Sequence, residues 1–260
     1  MDKDPEIVPN KLDSPINFKI IALIVGLVIV FQLLHTYLID PDTTDVLLSI
    51  VSFVNPLAAS IAGFIVAKRY FGTHIFGRAY ISLAFGFLMI FLAEVAYLVY
   101  DLVLEMDPYP SIADVFFFSF YPLAIIHLVL NINFFKSKIG YVKKSWVIGI
   151  PVAITLLWSI TSFQEGSQFD FDFYFGLSFV IVSSITLSLS LLGASIFKDG
   201  MLGKAWLILV IGIAALNFGD LWYYYLEIFD GYDLTHPVNL FWFSGYWILV
   251  YALIKHKNII

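Results

Sequence analysis

Charged residues are scarce in this chain, and cysteine is absent. Asp, Glu, Lys and Arg make up 13% of the 260 residues, while 60% are hydrophobic. Soluble domains carry about 25% charged residues, so this composition excludes an ordinary soluble protein. The lack of cysteine excludes disulfides, cysteine-ligated metals and thiol catalysis.

The common catalytic motifs are also missing. The sequence holds no Ser-His-Asp order, no His-Glu-x-x-His and no glycine-rich phosphate loop. No lysine lies in the middle of an apolar run, which excludes a retinal Schiff base. We therefore expect neither an enzyme nor a bound cofactor, and no nucleic-acid partner.

Long apolar runs fill most of the chain. About 20 apolar residues are enough to cross a bilayer as a helix, whereas the strands of a membrane barrel alternate. The first run follows no basic n-region and precedes no small-residue cleavage site, so we expect it to be retained. The sequence predicts an all-α integral membrane protein, embedded in the lipid bilayer, with eight transmembrane helices at about 17–38, 46–68, 78–100, 111–134, 145–162, 172–197, 204–228 and 236–255.

Basic and acidic residues occupy alternate connections between these runs. The connections on one side hold acidic residues and neither lysine nor arginine, as at Asp40, Asp107 and Asp233. By the positive-inside rule, this pattern predicts a plasma-membrane protein with both termini in the cytoplasm. The other side carries all 14 basic residues: Lys3, Lys11, Lys19, Lys68, Arg69, Arg78, Lys136, Lys138, Lys143, Lys144, Lys198, Lys204, Lys255 and Lys257.

The chain repeats its polar pattern about 126 positions later. Each repeating unit spans four helices, an even number, so we expect two parallel four-helix repeats in one orientation. The predicted organisation is a tail at 1–16, a first repeat at 17–134, a basic linker at 135–144, a second repeat at 145–255 and a tail at 256–260. The matching segments are Glu94-x-x-Tyr97-x-x-x-Asp101 with Asp220-x-x-Tyr223-x-x-x-Glu227, Asp114-x-Phe116-Phe117-Phe118-Ser119-x-Tyr121 with Asn239-x-Phe241-Trp242-Phe243-Ser244-x-Tyr246, and Gly77-Arg78-Ala79-Tyr80 with Gly203-Lys204-Ala205-Trp206.

The repeated acids and tyrosines form a candidate site for a ligand, a cation or a proton. The spacing of Glu94, Tyr97 and Asp101 places them on one helix face, with Glu94 about 10 Å deeper than Asp101. A carboxylate at that depth indicates a functional cavity or proton site, or else a protonated structural carboxyl. The candidate residues are Glu94, Tyr97, Asp101, Asp114, Tyr121, Asp220, Tyr223, Glu227, Asn239 and Tyr246.

Two tyrosines are expected to satisfy the deep carboxylates. The third and fourth helices should pack antiparallel and bring Glu94 level with Tyr121, and the same reasoning pairs Asp220 with Tyr246. We predict one carboxylate–phenol hydrogen bond in each half. Capping or solvation is the simpler interpretation for the acids at helix ends: Asp101, Asp114 and Glu227.

The histidines give a weak metal signal. His35 and His236 lie near the acidic connections without a second ligand at metal spacing. His127 has Ala252 as its repeat counterpart, so a symmetric bis-histidine haem is not encoded. We expect no metal or haem, and an ordinary cytoplasmic placement is expected for the remaining two histidines, His74 and His256.

Two segments carry short motifs of proline, aromatic and small residues. They are Pro108-Tyr109-Pro110-Ser111-x-Ala113-Asp114-x-Phe116, continuing to Tyr121-Pro122-Leu123, and Trp242-x-x-Gly245-Tyr246-x-x-x-x-Tyr251-Ala252-Leu253. These segments resemble a recurring signature of the multi-helix membrane input regions that precede diguanylate cyclases, phosphodiesterases and sensor histidine kinases in prokaryotes. The resemblance implies a sensor, and since no catalytic or PAS-like module follows Lys257, we expect output through a membrane or cytoplasmic signalling partner.

Three classes of function are compatible with these patterns. The first is a sensor-like or receptor-like module that binds a small ligand or cation in an outward-facing acidic and aromatic pocket. The second is a cation- or proton-coupled transporter or channel, favoured by the repeat and the deep carboxylates Glu94 and Asp220. The third is an accessory subunit of a membrane complex.

Overall fold

Eight α-helices make up the structure, a computed structural model that describes residues 16–135, 141–197, 200–229, 231–233 and 235–257. These ranges contain no strand, so the all-helical prediction is confirmed. A π-helical segment, Val99–Val103, continues the third helix. The helices are α1 (Phe18–Tyr37), α2 (Pro41–Arg69), α3 (Phe76–Leu98), α4 (Ile112–Phe135), α5 (Tyr141–Gln164), α6 (Phe171–Ile196), α7 (Gly200–Glu227) and α8 (Asn239–Lys257).

Seven of these helices, α1 to α7, are long and apolar enough to cross a membrane. The eighth, α8, has 19 residues but is less apolar, because it begins at Asn239 and ends with Lys255, His256 and Lys257. Length and hydropathy in the described ranges therefore support seven of the eight predicted spans.

Polar side chains at the helix starts fix several boundaries. Asp40 accepts a hydrogen bond from the backbone N–H of Thr43 at 2.9 Å, with Pro41 at the first helical position. Asp170 accepts from the N–H of Phe173 at 3.1 Å. Capping oxygens of this kind satisfy donors that have no partner inside the helix. The Asp40 cap explains why α2 begins at Pro41, five residues before the predicted position 46.

Neighbouring helices run antiparallel. Ser60 of α2 donates to the carbonyl of Ala84 in α3 at 3.1 Å, and Ser82 of α3 donates to the carbonyl of Leu123 in α4 at 2.8 Å. The helix ends therefore collect at two ends of the bundle. The basic end carries Lys68, Arg69, Arg78, Lys204, Lys255 and Lys257, and the acidic end carries Asp40, Asp101, Glu105, Asp107, Asp170 and Asp233.

Two antiparallel trios of helices form the core. In one trio α3 packs between α2 and α4, and in the other α7 packs between α6 and α8. The trios meet where α2 lies against α8 and α4 lies against α6. The remaining helices are peripheral, with α1 against α8 and α5 against α6.

Candidate functional site

The interior face of α3 opens progressively toward the acidic end. Phe87 is fully buried and Ile90 is 8% exposed. One turn further, Glu94 is partly exposed, Tyr97 is 44% exposed, and Asp101 is exposed. Since these residues share one helix face, the rising exposure shows that this face is accessible to solvent from the acidic end inward to Glu94. This accessible region is called the opening.

The interior face of α7 shows the same gradient. Leu216 is buried, Asp220 and Tyr223 are partly exposed, and Glu227 is exposed. Exposure therefore rises toward the acidic end on both acidic faces predicted from the sequence. Their carboxylates nevertheless have different surroundings.

Asp220 is held by two hydrogen-bond donors. The Tyr121 hydroxyl donates to Oδ2 at 3.0 Å, and the Trp242 indole donates from Nε1 to Oδ1 at 2.9 Å. Gly219 makes room for the indole, because a Cβ there would lie 2.7 Å from Nε1 of Trp242. Each carboxylate oxygen thus has a donor, as a carboxylate inside a protein requires.

Glu94 receives no hydrogen bond from any residue in the described ranges. The repeat offers a reason: the counterpart of Trp242 in the first half is Phe117, which has no N–H to donate. Tyr246 interacts electrostatically with both Glu94 and Asp220. Of the two deep carboxylates, Glu94 is therefore the one whose oxygens accept no hydrogen bond from the described side chains.

The predicted phenol pairing is wrong in detail. Tyr121 binds Asp220 of the other half, and no described hydrogen bond joins Tyr246 to Asp220. Contacts such as that of Gly86 with Phe120 set a register in which Glu94 lies beside the first turn of α4. Tyr121 is more than two turns deeper, because α4 begins beyond the π-helical segment and a loop.

Aromatic rings of α7, α8 and the loop between them pack against one another at the acidic end. The ring centroids of Tyr223 and Tyr232 are 5.0 Å apart, and Trp242 lies 6.1 Å from Tyr232 and 5.9 Å from Tyr223. Tyr97 and Tyr232 both interact electrostatically with Glu94. Tyr232 lies in the loop before α8 and is not among the residues predicted from the sequence, and the N–H of Trp242 had no predicted role.

The other candidate residues lie at the helix ends. Asp114 accepts from the N–H of Ser111 at 2.8 Å, while Ser111 Oγ accepts from the N–H of Ala113 at 3.1 Å. This reciprocal pattern is a capping box, so the capping interpretation of Asp114 is confirmed. Exposed positions are found for Asp101 and Glu227, and the buried Asn239 accepts from Tyr232 at 3.5 Å.

The loops at the acidic end are tied to the bundle through titratable groups. Tyr109 donates from its hydroxyl to Asp172 at the start of α6 at 2.9 Å, and burial together with this bond raises the pKa of Tyr109. In the loop before α8, Thr235 donates to Asp233 from its hydroxyl and its N–H. These bonds hold the pKa of Asp233 below its ordinary value.

A second polar cluster lies at the basic end and is fully enclosed. His256 is 0% exposed, bonds through Nδ1 to the Tyr80 hydroxyl, and packs on Trp206 with ring centroids 4.5 Å apart. The prediction that His256 is an ordinary tail residue is therefore wrong. His74, by contrast, is exposed as expected.

The same cluster continues through His127. Its Nδ1 lies 2.9 Å from the carbonyl oxygen of Ala79, whereas Nε2 of His256 has no hydrogen-bond partner among the described residues. Asn131 bonds to His127 and accepts from the indole N–H of Trp206 at 3.1 Å. Ala79 belongs to the first of the repeated Gly-basic-Ala-aromatic segments, and Trp206 belongs to the second.

Those segments also serve helix entry. A Cβ on Gly77 would lie 2.5 Å from the carbonyl oxygen of Tyr70, and one on Gly203 would lie 2.7 Å from that of Phe197. Both glycines therefore allow the preceding connection to pass directly over the start of the helix.

Metal ligation finds no support in the described ranges, which hold no group of three or more His, Cys, Asp or Glu side chains placed to bind an ion. His35 is buried against Phe31, and His236 accepts a hydrogen bond from the N–H of Val238. Neither histidine takes part in a described hydrogen bond with Glu94 or Asp220. No family model, no curated protein and no solved structure matches this chain.

Proposed function

We propose that the protein is a sensor-like membrane module that binds a small ligand or cation in the opening around Glu94. In this proposal α8 is the eighth transmembrane helix, the acidic end faces outward, and both termini lie on the cytoplasmic side of the plasma membrane. A membrane or cytoplasmic partner receives the signal. The resemblance to membrane input regions supports this class of function.

Helix packing supports two parallel repeats. The contacts of α2 with α3 and of α3 with α4 correspond to those of α6 with α7 and of α7 with α8. The contact of α2 with α8 corresponds to that of α6 with α4, as a pseudo-twofold axis along the membrane normal requires. The peripheral helices depart from this correspondence, because α1 packs on α8 whereas α5 packs on α6.

One observation carries the proposal: Glu94 lies at the inner limit of an opening and has no described hydrogen-bond donor. A carboxylate that only stabilised the bundle would have donors, as Asp220 does. A carboxylate left without donors beside an opening is suited to bind a group that enters from outside.

The absence of cysteine makes this opening directly testable. Glu94→Cys should react with a membrane-impermeant thiol reagent added outside intact cells, because the opening reaches residue 94. Val95→Cys is the matched control, since Val95 has the same depth but lies on an apolar surface groove with Leu98 and Val99. Equal labelling of both variants, labelling of neither, or labelling only from the cytoplasmic side would contradict the proposal.

A proton- or cation-coupled transporter is the second candidate. Its support is the position of Glu94 and Asp220 on the two corresponding helices α3 and α7. In liposomes containing the purified protein, a proton or cation flux that disappears in Glu94→Gln or Asp220→Asn would establish transport and overturn the sensor proposal. Ligand-dependent thermal stabilisation without flux would favour the sensor. A stoichiometric membrane partner recovered from native cells would support an accessory subunit.

A further inference from the structure

A groove runs along the surface of the bundle where α2 meets α8. It has a volume of about 440 Å³ and is lined by residues from Ala58 to Ile65 on α2 and from Val250 to Lys257 on α8. Both helices start at the acidic end, so they run parallel and the groove, about 10 Å long, leads toward the basic end. Because α2 is apolar enough to cross a membrane, the groove opens to bilayer lipid.

The floor and the rim of this groove differ in side-chain size and exposure. On the floor, Ala62 is 9% exposed and Leu253 is fully buried. On the rim, Ile61, Ile65 and Ile254 are 52%, 45% and 51% exposed. These isoleucines stand on both sides of a narrow channel, whereas a helix with its side chains is about 10 Å wide. A flexible hydrocarbon chain therefore fits this groove better than a transmembrane helix does.

Lys257 gives the groove a positively charged end. It is exposed and lines the groove, while the neighbouring Lys255 lies over the Tyr251 ring at 5.7 Å. Lys68 and Arg69 occupy the last turn of α2 at the same end. The described ranges place no Asp or Glu at this end. The charge at the end of the groove is therefore complementary to an anion attached to a hydrocarbon chain.

We propose that the groove between α2 and α8 binds one anionic phospholipid, with an acyl chain along the groove and the phosphate at Lys257. Basic sites between membrane helices on the cytoplasmic side bind lipid headgroups in this way, and long lysine side chains reach the headgroup level from within a span. This inference goes beyond the proposed function, because the site lies at the opposite end from Glu94 and does not depend on it.

The repeat indicates one such site per chain. The corresponding helix pair is α4 with α6, where a shift of 126 replaces Ala58 and Ala62 by Ser184 and Ser188. Both serines are fully buried, so this part of α6 is covered where α2 lines the groove. The shift of 125 found for α8 replaces Lys257 by the buried Ile132. The second interface therefore lacks the basic residue at this position.

Lipid titration of the purified full-length chain, followed by native mass spectrometry, tests the headgroup assignment. Phosphatidylglycerol should bind once per chain and about fivefold more tightly than phosphatidylcholine with the same acyl chains. Lys257→Gln should remove this preference. The matched control is Lys204→Gln, because Lys204 is also an exposed lysine at the basic end but does not line the groove. The control should keep the preference.

A second pair of variants tests the acyl chain. Ala58→Phe should fill the groove and weaken the binding of both lipids, whereas Ile148→Phe, on the exposed surface of α5, should not. Glycerol 3-phosphate carries the headgroup charge without acyl chains and should not compete with phosphatidylglycerol. Since Lys257 is exposed, Lys257→Gln still tests the site if Ala58→Phe disturbs the packing of α2.

Four results would overturn the proposal. Equal binding of the two lipids would remove the anionic headgroup, and an equal loss in Lys204→Gln would show only general attraction to the basic end. Competition by glycerol 3-phosphate would show an anion site that does not use the groove. A dimer that Ala58→Phe converts to a monomer would make the groove a contact between two copies of the chain.

None of these results bears on Glu94. Outside labelling of Glu94→Cys decides separately whether the opening at the acidic end exists.

Discussion

The two ends of the bundle differ in how their polar side chains are enclosed and bonded. At the basic end, Tyr80, His127, Asn131, Trp206 and His256 form a network of bonds and ring contacts, and each of them is buried. At the acidic end, Glu94 and Tyr246 are partly exposed and neither takes part in a described hydrogen bond.

This difference separates structure from candidate function. A buried polar network without openings stabilises one packing arrangement, because breaking any bond leaves a costly unpaired group. A polar group that lacks partners beside an opening does not add stability, yet it is available to a ligand. We therefore expect substitutions at the basic end to lower stability, and substitutions at Glu94 to change ligand response without lowering stability.

The largest expected effect is at Trp206. It is 1% exposed, packs on Phe76, Phe135 and His256, and donates to Asn131. Trp206→Ala should lower the free energy of unfolding by about 3–5 kcal/mol, because it leaves a cavity and an unpaired amide oxygen. Denaturant titration followed by circular dichroism measures this change.

Trp247 provides the control for Trp206. It lies on α8 and is 41% exposed, so Trp247→Ala should cost less than about 1 kcal/mol. A similar cost for both tryptophan substitutions would show that the network at the basic end is not a special source of stability.

The next prediction concerns two tyrosines at corresponding positions in the repeat, Tyr121 and Tyr246. Tyr121→Phe removes a hydrogen bond to Asp220 and should cost about 1–2 kcal/mol of unfolding free energy. Tyr246→Phe removes a hydroxyl without a described hydrogen bond and should cost less than about 0.5 kcal/mol. Unfolding titrations of both variants test this order, and a reversed order would indicate that Glu94 or a bound water uses the Tyr246 hydroxyl.

Sequence patterns were sufficient for the helices but not for their register. Apolar runs and end signals such as Asp40 located each helix to within about five residues. The pairing of Glu94 with Tyr121 failed because depth was counted from helix ends, and such counting cannot detect the π-helical extension of α3 or the stagger of α4. Only contacts such as Ser82 with Leu123 set that stagger.

The non-acidic positions of the repeat also carried information about the candidate site. Comparing Phe117 with Trp242 would have indicated that only the second half has an indole N–H for its carboxylate. The burial of His256 had no comparable signal, because a histidine between two lysines at a helix end resembles a solvated tail. Tyr232 could not be predicted either, since a tyrosine in a loop belongs to no periodic pattern that would indicate its position.

Substitution of Glu94 should reverse the usual sign of a buried-site mutation. Glu94→Gln removes a charge that has no described donor, so the unfolding free energy should stay the same or rise by about 1 kcal/mol. Asp220→Asn should lower it by about 1–2 kcal/mol, because one of the two donors then faces an NH2 group instead of an acceptor oxygen. If Glu94→Gln destabilises the protein as much as Asp220→Asn does, Glu94 is a structural residue and the contrast between the two ends is lost.

The smallest expected effect is the pH dependence of the loop that carries Tyr232. Two bonds from Thr235 lower the pKa of Asp233, so ionised Asp233 stabilises the fold. That stability is complete above the ordinary aspartate pKa of about 3.9 and is lost as the pH falls through the lowered folded-state pKa. The thermal midpoint of Asp233→Ala should therefore lie slightly below that of the wild type at pH 5 to 7, and the two midpoints should converge at lower pH. Because the Thr235 carbonyl accepts a hydrogen bond from Gln32 at 2.6 Å, equal midpoints of the two proteins at every pH would mean that α1, rather than Asp233, holds this loop.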